Sequence, residues 1–254
     1  MRASKSRRQA QILAELDRLP SLRVADLAER LAVSTETIRR DLDELTGQGR
    51  LNRTYGGAVR MMNSEPAMNE RHALHVVERQ RIAAAVVGRL AGARVVMIGS
   101  GSTTLHVARQ IAADLRDLTV ITHGFAIAAA LSANASIKVV MAPGEYHAGE
   151  GATVGVHTTG FLSNFFADVA VLGASGLTEE GPNDALIESA AVYTAMTRRA
   201  ARTLVAADHS KFGRMFPARY SGWSEVAELV SDSAPDGAVA AALAAAGVAV
   251  TPAP

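Results

Sequence analysis

The sequence contains no cysteine, which excludes disulfide bonds, a thiolate nucleophile and any cysteine-ligated metal site. Aromatic residues are also few, at 4%, with a single tryptophan. No apolar run reaches the roughly 18 residues that a membrane-spanning helix requires. The basic N-terminus leads into an amphipathic segment and not into the apolar core of a signal peptide. These absences predict a cytoplasmic protein with no membrane segment.

Neither sign of charge is in large excess, but the charge is unevenly distributed. The formal net charge is +1 over 254 residues. Residues 1–60 hold 12 Lys and Arg against 8 Asp and Glu, a net of +4, whereas the other residues hold 14 against 17, a net of −3. A chain of this length predicts a small basic domain and a larger acidic one. The basic domain is the candidate for binding a polyanion such as DNA.

Three amphipathic helices are predicted before residue 50. Apolar residues recur at helical spacing in each of them, and Ser34 is a suitable N-cap for the third. Burial of Ile38, Leu42 and Leu45 turns the opposite face outward. Two helices joined by a short turn, with polar and cationic groups at the start of the second, indicate a helix-turn-helix. The outward face carries Thr35, Glu36, Arg39, Arg40 and Asp43.

A hairpin is predicted directly after the third helix. The segment RLNRTYGGAVR, residues 50–60, indicates two short strands around a glycine turn, which would form a wing. The alternative is an ordinary helical bundle with a solvated pair of arginines, and the order of helix, cap and hairpin disfavours it. Hydroxyl and guanidinium groups can contact phosphates and base edges. The predicted DNA-binding residues are Ser34, Thr35, Thr37, Arg39, Arg40, Arg53, Tyr55 and Gly56.

A second domain is predicted over residues 76–254. Residues 61–75 lack periodicity and contain Pro66, which indicates a linker between this domain and a DNA-binding domain over residues 1–60. Short β-branched runs then alternate with helical segments, a pattern typical of a parallel α/β sheet with right-handed crossovers. The Ala-rich C-terminal segment is expected to form a final helix and strand packed on this core, rather than an interface.

Ligands bind such sheets beyond the C-terminal ends of the strands. The loop GSGSTT follows an apolar strand and opens a helix, so its N–H groups and hydroxyls favour an anion such as phosphate. The alternative is a plain strand-to-helix turn. Other polar or small-residue loops occur at THG, GASG and ADHSKFG. The candidate ligand-binding residues are Ser100, Gly101, Ser102, Thr103, Thr104, His123, Gly124, Gly173, Ser175, Glu188, Asp208 and Lys211.

Two sets of segments resemble the DeoR family of bacterial transcriptional regulators. VSTETIRRDLDEL and GRLNRTYGGAV resemble its winged helix-turn-helix, and GSGSTT, ADVAVLGASGL and ADHSKFG resemble its C-terminal sensor domain. The resemblance covers nearly the whole chain. It implies a Rossmann-like sensor domain related to ribose-5-phosphate isomerase and CoA-transferase-like folds. It also implies that Asp41 orients an arginine or closes the helix, and does not face DNA.

The resemblance further implies that Ser100 to Thr104 hold a phosphate group. Asp208 and Lys211 would complete a pocket for a phosphorylated sugar or a related metabolite. The chain departs from many members of the family, which carry Asp, Asn, Gly and Lys where it has Gly99, His123, Pro143 and Tyr193. The loss of an Asp and a Lys predicts that the hydroxyls and charges of the ligand are recognised differently.

The resulting prediction is a repressor of carbohydrate-metabolism genes that binds operator DNA as a homodimer or homotetramer and responds to a phosphorylated metabolite. The alternative is an isomerase- or deaminase-type enzyme in which Asp208, Lys211 and Glu188 move a proton. No further acidic cluster is found in the strand-end loops near Asp168 or Gly173, which disfavours catalysis. No cofactor is predicted, and the scattered histidines indicate no metal site.

Overall fold

The chain folds into two compact units, Met1–Asn63 and Ser64–Pro254. The boundary lies three residues after the predicted end of the DNA-binding domain, and a helix within the predicted linker belongs to the second unit. The structure is a computed structural model that describes residues 5–18, 21–47, 51–54, 57–60, 65 and 68–253. No helix in these ranges is long and apolar enough to cross a membrane.

The first unit is a winged helix-turn-helix. Its strands form an antiparallel sheet in the order β1-β3-β2, and the pairing of Thr54 with Gly57 closes the wing hairpin. The three helices and the hairpin confirm the prediction from the sequence, whereas β1 was not predicted. The elements are α1 (Lys5–Arg18), β1 (Ser21–Arg23), α2 (Val24–Arg30), α3 (Thr35–Gly47), β2 (Leu51–Thr54) and β3 (Gly57–Arg60).

Buried aliphatic side chains from all three helices form the core of the first unit. Helix α3 contributes Ile38, Leu42 and Leu45, whose i, i+4, i+7 spacing predicted its buried face. The turn between α2 and α3 passes through Ala32, which has a positive φ of 51°. This packing fixes which face of α3 is exposed.

The second unit is a parallel sheet with helices on both faces. Alternate residues of its strand β4 face opposite sides, so Val96 and Ile98 join one apolar core and Met97 joins the other. The elements are α4 (Met68–Ala73), α5 (Val76–Gly88), β4 (Val95–Ile98), α6 (Ser102–Asp114), β5 (Thr119–Thr122), α7 (Phe125–Leu131), β6 (Lys138–Met141), β7 (Glu145–His147), β8 (Ala152–Val154), α8 (Val156–Leu162), β9 (Ala167–Leu172), β10 (Gly176–Thr178), β11 (Gly181–Asp184), α9 (Ile187–Arg198), β12 (Ala200–Ala206), β13 (Ala218–Arg219), β14 (Glu228–Ser231), α10 (Gly237–Ala246) and β15 (Ala249–Pro252).

The main sheet runs in the order β15-β14-β12-β9-β4-β5-β6, which confirms the predicted parallel α/β fold. The first strand of this sheet along the chain is β4, and β5 and β6 add to one side of it. The chain then crosses to β9 on the other side of β4. The strand order therefore reverses between β4 and β9, where ligands bind in open α/β sheets. Strand β15 pairs with β14 at the sheet edge, which confirms the predicted final helix and strand.

Candidate functional site

Helix α3 presents its N-terminal polar residues to solvent. The hydroxyl oxygen of Ser34 accepts a hydrogen bond from the Thr37 N–H at 3.2 Å and lies 2.9 Å from the Thr37 hydroxyl oxygen. Ser34 is therefore the N-cap, as predicted. Thr35, Arg39 and Arg40 are exposed. This end of the helix offers hydroxyls, guanidinium groups and the positive end of the helix dipole.

Glu36 lies close to both exposed arginines. Its carboxylate lies 3.4 Å from Nε of Arg40 and 3.9 Å from Nη1 of Arg39. Exposed pairs at these helical spacings contribute little to stability. Either guanidinium group can therefore exchange this carboxylate for a phosphate at small cost.

Asp41 lies inside the first unit and is almost fully buried. Its carboxylate accepts hydrogen bonds from Nε of Arg8 and, at 3.1 Å, from Nη2 of Arg8. The expectation that Asp41 orients an arginine is confirmed, and this hydrogen bond raises the pKa of Arg8 against the opposing effect of burial. Of the predicted wing residues, Arg53 lies on β2, and Tyr55 and Gly56 lie outside the described residues.

A small polar pocket lies at the switch point of the second unit. The loops after β4, β9 and β12 converge there, and the cavity of about 30 Å³ has room for one or two water molecules. The predicted residues that line it are Ser100, Gly101, Ser102, Thr103, Gly173, Ser175 and Lys211. The lining residues that were not predicted are Glu65, Arg71, Arg79, Glu150, Ala174, Asp184 and Tyr193.

The loop after β4 has the form expected of an anion-binding loop. Gly101 adopts a φ of 141°, which a residue with a side chain rarely adopts, and so lets the chain turn directly into α6. Ser102 and Thr103 begin that helix, whose first N–H groups have no acceptor within the helix. Among the described residues, the Ser102 hydroxyl donates only to the weak acceptor Sδ of Met68, at 3.6 Å. These donors are suited to an incoming phosphate.

Arg71, Arg79 and Lys211 bring positive charge to the pocket, and each is at least nine-tenths buried. Asp208 lies behind Arg79, and its carboxylate accepts a hydrogen bond from Nε of Arg79 at 3.0 Å. Burial raises the pKa of Asp208, but hydrogen bonding from Ser210 and the charges of Arg79 and Lys211 outweigh it, so the pKa is lowered. Asp208 therefore positions Arg79 and does not itself line the pocket.

Carboxylates from three separate segments face these cations. Glu65 accepts a hydrogen bond from Nζ of Lys211 at 2.9 Å, and both oxygens of Glu150 lie 2.6 Å from Nη2 of Arg71. Asp184 lines the same cavity. These acids come from segments that are distant in sequence from the strand-end loop at Gly173, so the acidic cluster beside this loop was not visible in the sequence.

Several predicted ligand residues do not line the pocket. Thr104 is buried, and its hydroxyl donates to the Gly101 carbonyl oxygen at 3.1 Å, so it shapes the loop. Glu188 is exposed on the first turn of α9, because the inward face of that helix holds Ser189 and Tyr193. The predicted residues that lie outside the lining are Thr104, His123, Gly124, Glu188 and Asp208.

An apolar groove adjoins the polar pocket and shares Ser100, Gly101 and Glu150 with it. Its volume is about 480 Å³, within the range that small-molecule ligands occupy. Gly124 lines this groove. Phe125 and Tyr146 also line it, and their rings meet edge to face with centroids 5.2 Å apart. The two cavities together offer an anion-binding end and an apolar surface.

Two buried tyrosines donate hydrogen bonds to the strand-end loops. The Tyr193 hydroxyl donates to the Ser100 carbonyl oxygen at 2.6 Å, and the Tyr220 hydroxyl donates to the Gly173 carbonyl oxygen at 2.6 Å. Burial raises the pKa of both tyrosines well above 10, so both remain protonated donors. Each loop at the switch point is thereby tied to the core.

His123 also supports the anion-binding loop. Its Nε2 accepts a hydrogen bond from the Ser100 N–H at 3.0 Å, and its Nδ1 lies 2.7 Å from the Thr153 carbonyl oxygen. Nδ1 therefore carries the proton of a neutral ring. Burial lowers the pKa of His123 to about 4, although the Thr153 carbonyl opposes the shift, so the ring is uncharged near neutral pH.

We expect His123→Asn to be tolerated and His123→Leu to cost about 1–3 kcal/mol of unfolding free energy, because leucine leaves a buried donor and acceptor unsatisfied. An asparagine can accept from the Ser100 N–H and donate to the Thr153 carbonyl. Urea denaturation of both variants measures the difference. Equal losses in the two variants would contradict the hydrogen-bonding role of His123.

The pKa of Asp184 predicts that the stability of the folded protein depends on pH. Burial raises its pKa to about 7, with Glu65 and Glu150 adding to the shift and the Leu186 N–H and Arg71 opposing it. The folded protein keeps this proton up to about pH 7, whereas the unfolded chain loses it near pH 4. The contribution of Asp184 to stability is therefore fully present below pH 4 and is lost as the pH rises through 7.

Asp184→Asn keeps the acceptor for the Leu186 N–H but cannot ionise. We expect this variant to be more stable than the wild type at pH 8, by about 1–4 kcal/mol, and to lose that advantage at pH 4.5. Urea denaturation at the two pH values measures the effect. An advantage that is the same at both pH values would contradict the raised pKa.

A chain with a winged helix-turn-helix and an α/β unit with a polar pocket at its switch point belongs to the class of ligand-responsive DNA-binding regulators. Comparison with known proteins supports this class. Residues 8–64 match the DeoR-like helix-turn-helix domain, and residues 74–233 match the DeoR C-terminal sensor domain. The chain therefore belongs to the DeoR family of transcriptional regulators, which confirms the resemblance seen in the sequence.

Several relatives that this chain resembles are named as repressors. The glycerol-3-phosphate regulon repressor of Escherichia coli is 29% identical over 215 residues, which cover 83% of this chain and 84% of the relative. The transcriptional repressor AccR of Agrobacterium fabrum is 30% identical over 230 residues, 89% of each chain. This chain is accordingly a transcriptional regulator and not an enzyme.

Solved structures are more distantly similar. A D-ribose-5-phosphate isomerase in complex with phospho-erythronic acid is 17% identical, with a TM-score of 0.38 over 53% of each chain. The Pyrococcus horikoshii translation initiation factor eIF-2B is 13% identical, with a TM-score of 0.43 over 89% of this chain and 87% of that one.

Proposed function

We propose that this protein is a repressor that binds its operator through α3 and the wing. The exposed N-terminal end of α3 enters the major groove, where Arg39 and Arg40 contact bases or phosphates and Ser34, Thr35 and Thr37 supply hydroxyls. The wing residues Arg53, Tyr55 and Gly56 contact the DNA backbone beside the groove. The basic charge of the first unit and the outward face of α3 support this arrangement.

The effector is a phosphorylated sugar or a related phosphorylated metabolite. This proposal rests on one observation: the loop at the N-terminus of α6 lines the same cavity as Arg71 and Lys211, at the sheet's switch point. The phosphate lies against Ser102 and Thr103, and the remainder of the ligand extends into the groove beside Phe125. The names of the relatives, among them a glycerol-3-phosphate regulon repressor and a putative aga operon repressor, fit an effector of this chemistry.

The repressor acts in the cytoplasm as a homodimer or homotetramer. One winged helix-turn-helix covers a single half-site, so two copies related by symmetry are needed to bind a repeated operator. The effector must also bind the DNA-competent and the DNA-incompetent states with different affinity, since a ligand with equal affinity for both shifts nothing.

Fluorescence anisotropy of the full chain on its own upstream DNA tests this function. The titration is made at one stated salt concentration, since affinities for DNA depend steeply on salt. A panel of sugar phosphates is compared with the matching free sugars. We expect specific binding that one phosphorylated compound changes and its free sugar does not. Absence of specific DNA binding would contradict the repressor, and a response to the free sugar alone would contradict the phosphate site.

A further inference from the structure

The carboxylate of Glu65 lies in the pocket among groups suited to a ligand anion. Its Oε1 accepts a hydrogen bond from Nζ of Lys211 at 2.9 Å, and its Oε2 accepts one from the Ser175 hydroxyl and lies 3.4 Å from Nη1 of Arg71. The side chain is only 7% exposed. Two cations and a hydroxyl donor converging on one carboxylate resemble the surroundings of a bound phosphate or carboxylate ligand.

The charge of Glu65 is set by the pocket. Burial raises the pKa of its carboxyl, but the charges of Lys211 and Arg71 and the hydrogen bond from Ser175 outweigh burial, so the pKa is lowered. Glu65 therefore remains an anion at neutral pH. It neutralises the buried ammonium group of Lys211 and shares the guanidinium group of Arg71 with Glu150, and a buried cation without a partner is costly.

The polar pocket beside Glu65 is too small for the phosphate group itself. Its volume of about 30 Å³ holds one or two water molecules, and the adjoining groove has room only for the rest of the ligand. Glu150 and Asp184 add further carboxyl groups to the lining. A phosphate that enters without removing Glu65 would meet both steric exclusion and repulsion between like charges.

We propose that Glu65 is a resident anion of the effector pocket and that a phosphorylated effector binds by displacing it from Lys211, Arg71 and Ser175. The proposal rests on the phosphorylated effector proposed above and adds how that site is regulated. The exchange replaces one anion by another, so the cations keep a partner throughout. Binding thereby requires the Glu65 side chain to leave the pocket.

The position of Glu65 in the chain gives this exchange a route to the DNA-binding unit. Glu65 is the second residue after the boundary between the two units, at Asn63 and Ser64. The effector therefore competes with a side chain next to the junction of the two units. Displacing Glu65 removes this attachment of the chain beside the junction, a change to which both ligand binding and DNA binding can be coupled.

Isothermal titration of the full chain with inorganic phosphate tests the exchange. Glu65→Gln keeps the shape of the side chain but removes its charge, and Glu65→Ala removes the side chain as a second variant. Glu179→Gln is the matched control, since Glu179 is an exposed carboxylate of the same unit outside the pocket lining. We expect both Glu65 variants to bind phosphate roughly tenfold or more tightly than the wild type and the control do.

The outcomes separate this proposal from the proposed function. Phosphate binding that is equal or weaker in the Glu65 variants, while the wild type binds, overturns the displacement and leaves the phosphorylated effector in place. Absence of phosphate binding in all the proteins, including the variants in which Lys211 and Arg71 have lost the Glu65 carboxylate, overturns both. A second readout is the operator affinity of Glu65→Gln without ligand. It should shift in the same direction as the wild-type affinity shifts with effector, and an unchanged affinity overturns the route to DNA.

Discussion

Replacing Arg39 with alanine is expected to weaken operator binding by about 1–3 kcal/mol if its guanidinium group makes a bidentate base contact, and Arg40→Ala is expected to do the same. Both side chains are exposed on α3 and pair with Glu36 in the isolated chain. They support no buried core, so each variant should keep the stability of the wild type. Anisotropy titrations at several salt concentrations measure the loss.

The salt dependence identifies the kind of contact. Removal of a base contact lowers the affinity for the operator but not for random DNA. Removal of a phosphate contact weakens binding to both and lowers the salt slope by about 1. Arg116→Ala removes an exposed arginine from the second unit and controls for net charge. Operator affinity unchanged in both α3 variants would contradict the proposed docking of α3, while effector binding should be unaffected in all three.

Gly99→Asp is expected to be strongly destabilising, by at least about 3 kcal/mol. A Cβ atom at Gly99 would lie 2.7 Å from Cε1 of Tyr193 and 3.2 Å from Cδ2 of Leu172. The Tyr193 ring cannot move aside easily, since its hydroxyl donates to the Ser100 carbonyl and it packs edge to face on Tyr220. The aspartate would also place a further negative charge in a buried site.

The double variant Gly99→Asp with Tyr193→Lys should recover much of that loss. In this chain the two positions are neighbours, since a Cβ atom at Gly99 would contact the Tyr193 ring. The lysine removes the ring and supplies a partner charge, so a double-mutant cycle in urea should give a large coupling energy. The variant Gly99→Ala measures the steric contribution to the lost stability without the added charge. A double variant no more stable than Gly99→Asp would contradict a paired exchange.

The parts of the fold that could be predicted from the sequence are those that local sequence patterns indicate. The spacing of Ile38, Leu42 and Leu45 fixed the outward face of α3, and Ser34 marked its start. The alternation of β-branched runs with helices predicted the parallel sheet, and the loop from Ser100 to Thr103 could be placed at a strand end. Each of these signals lies within a few residues along the chain.

The rest of the pocket depends on contacts between distant segments. Arg79 lies on an ordinary amphipathic helix, and nothing near it in sequence indicates that Asp208 holds it at the pocket, 129 positions away. Glu65 falls in a stretch without periodicity, and Asp184 is the last residue of β11, a strand that contains glycine and proline. Glu188 was predicted from its place at a helix start, but the phase of α9 turns it outward.

The most direct test is to measure the dissociation constant of the phosphorylated effector with and without saturating operator DNA. If the pocket controls DNA binding, the operator must change the effector's affinity by the same factor by which the effector changes the operator's affinity, because the coupling free energy is reciprocal. We expect equal factors, clearly different from one. An effector affinity that is the same with and without operator DNA would show that the pocket does not control DNA binding, and would contradict the account.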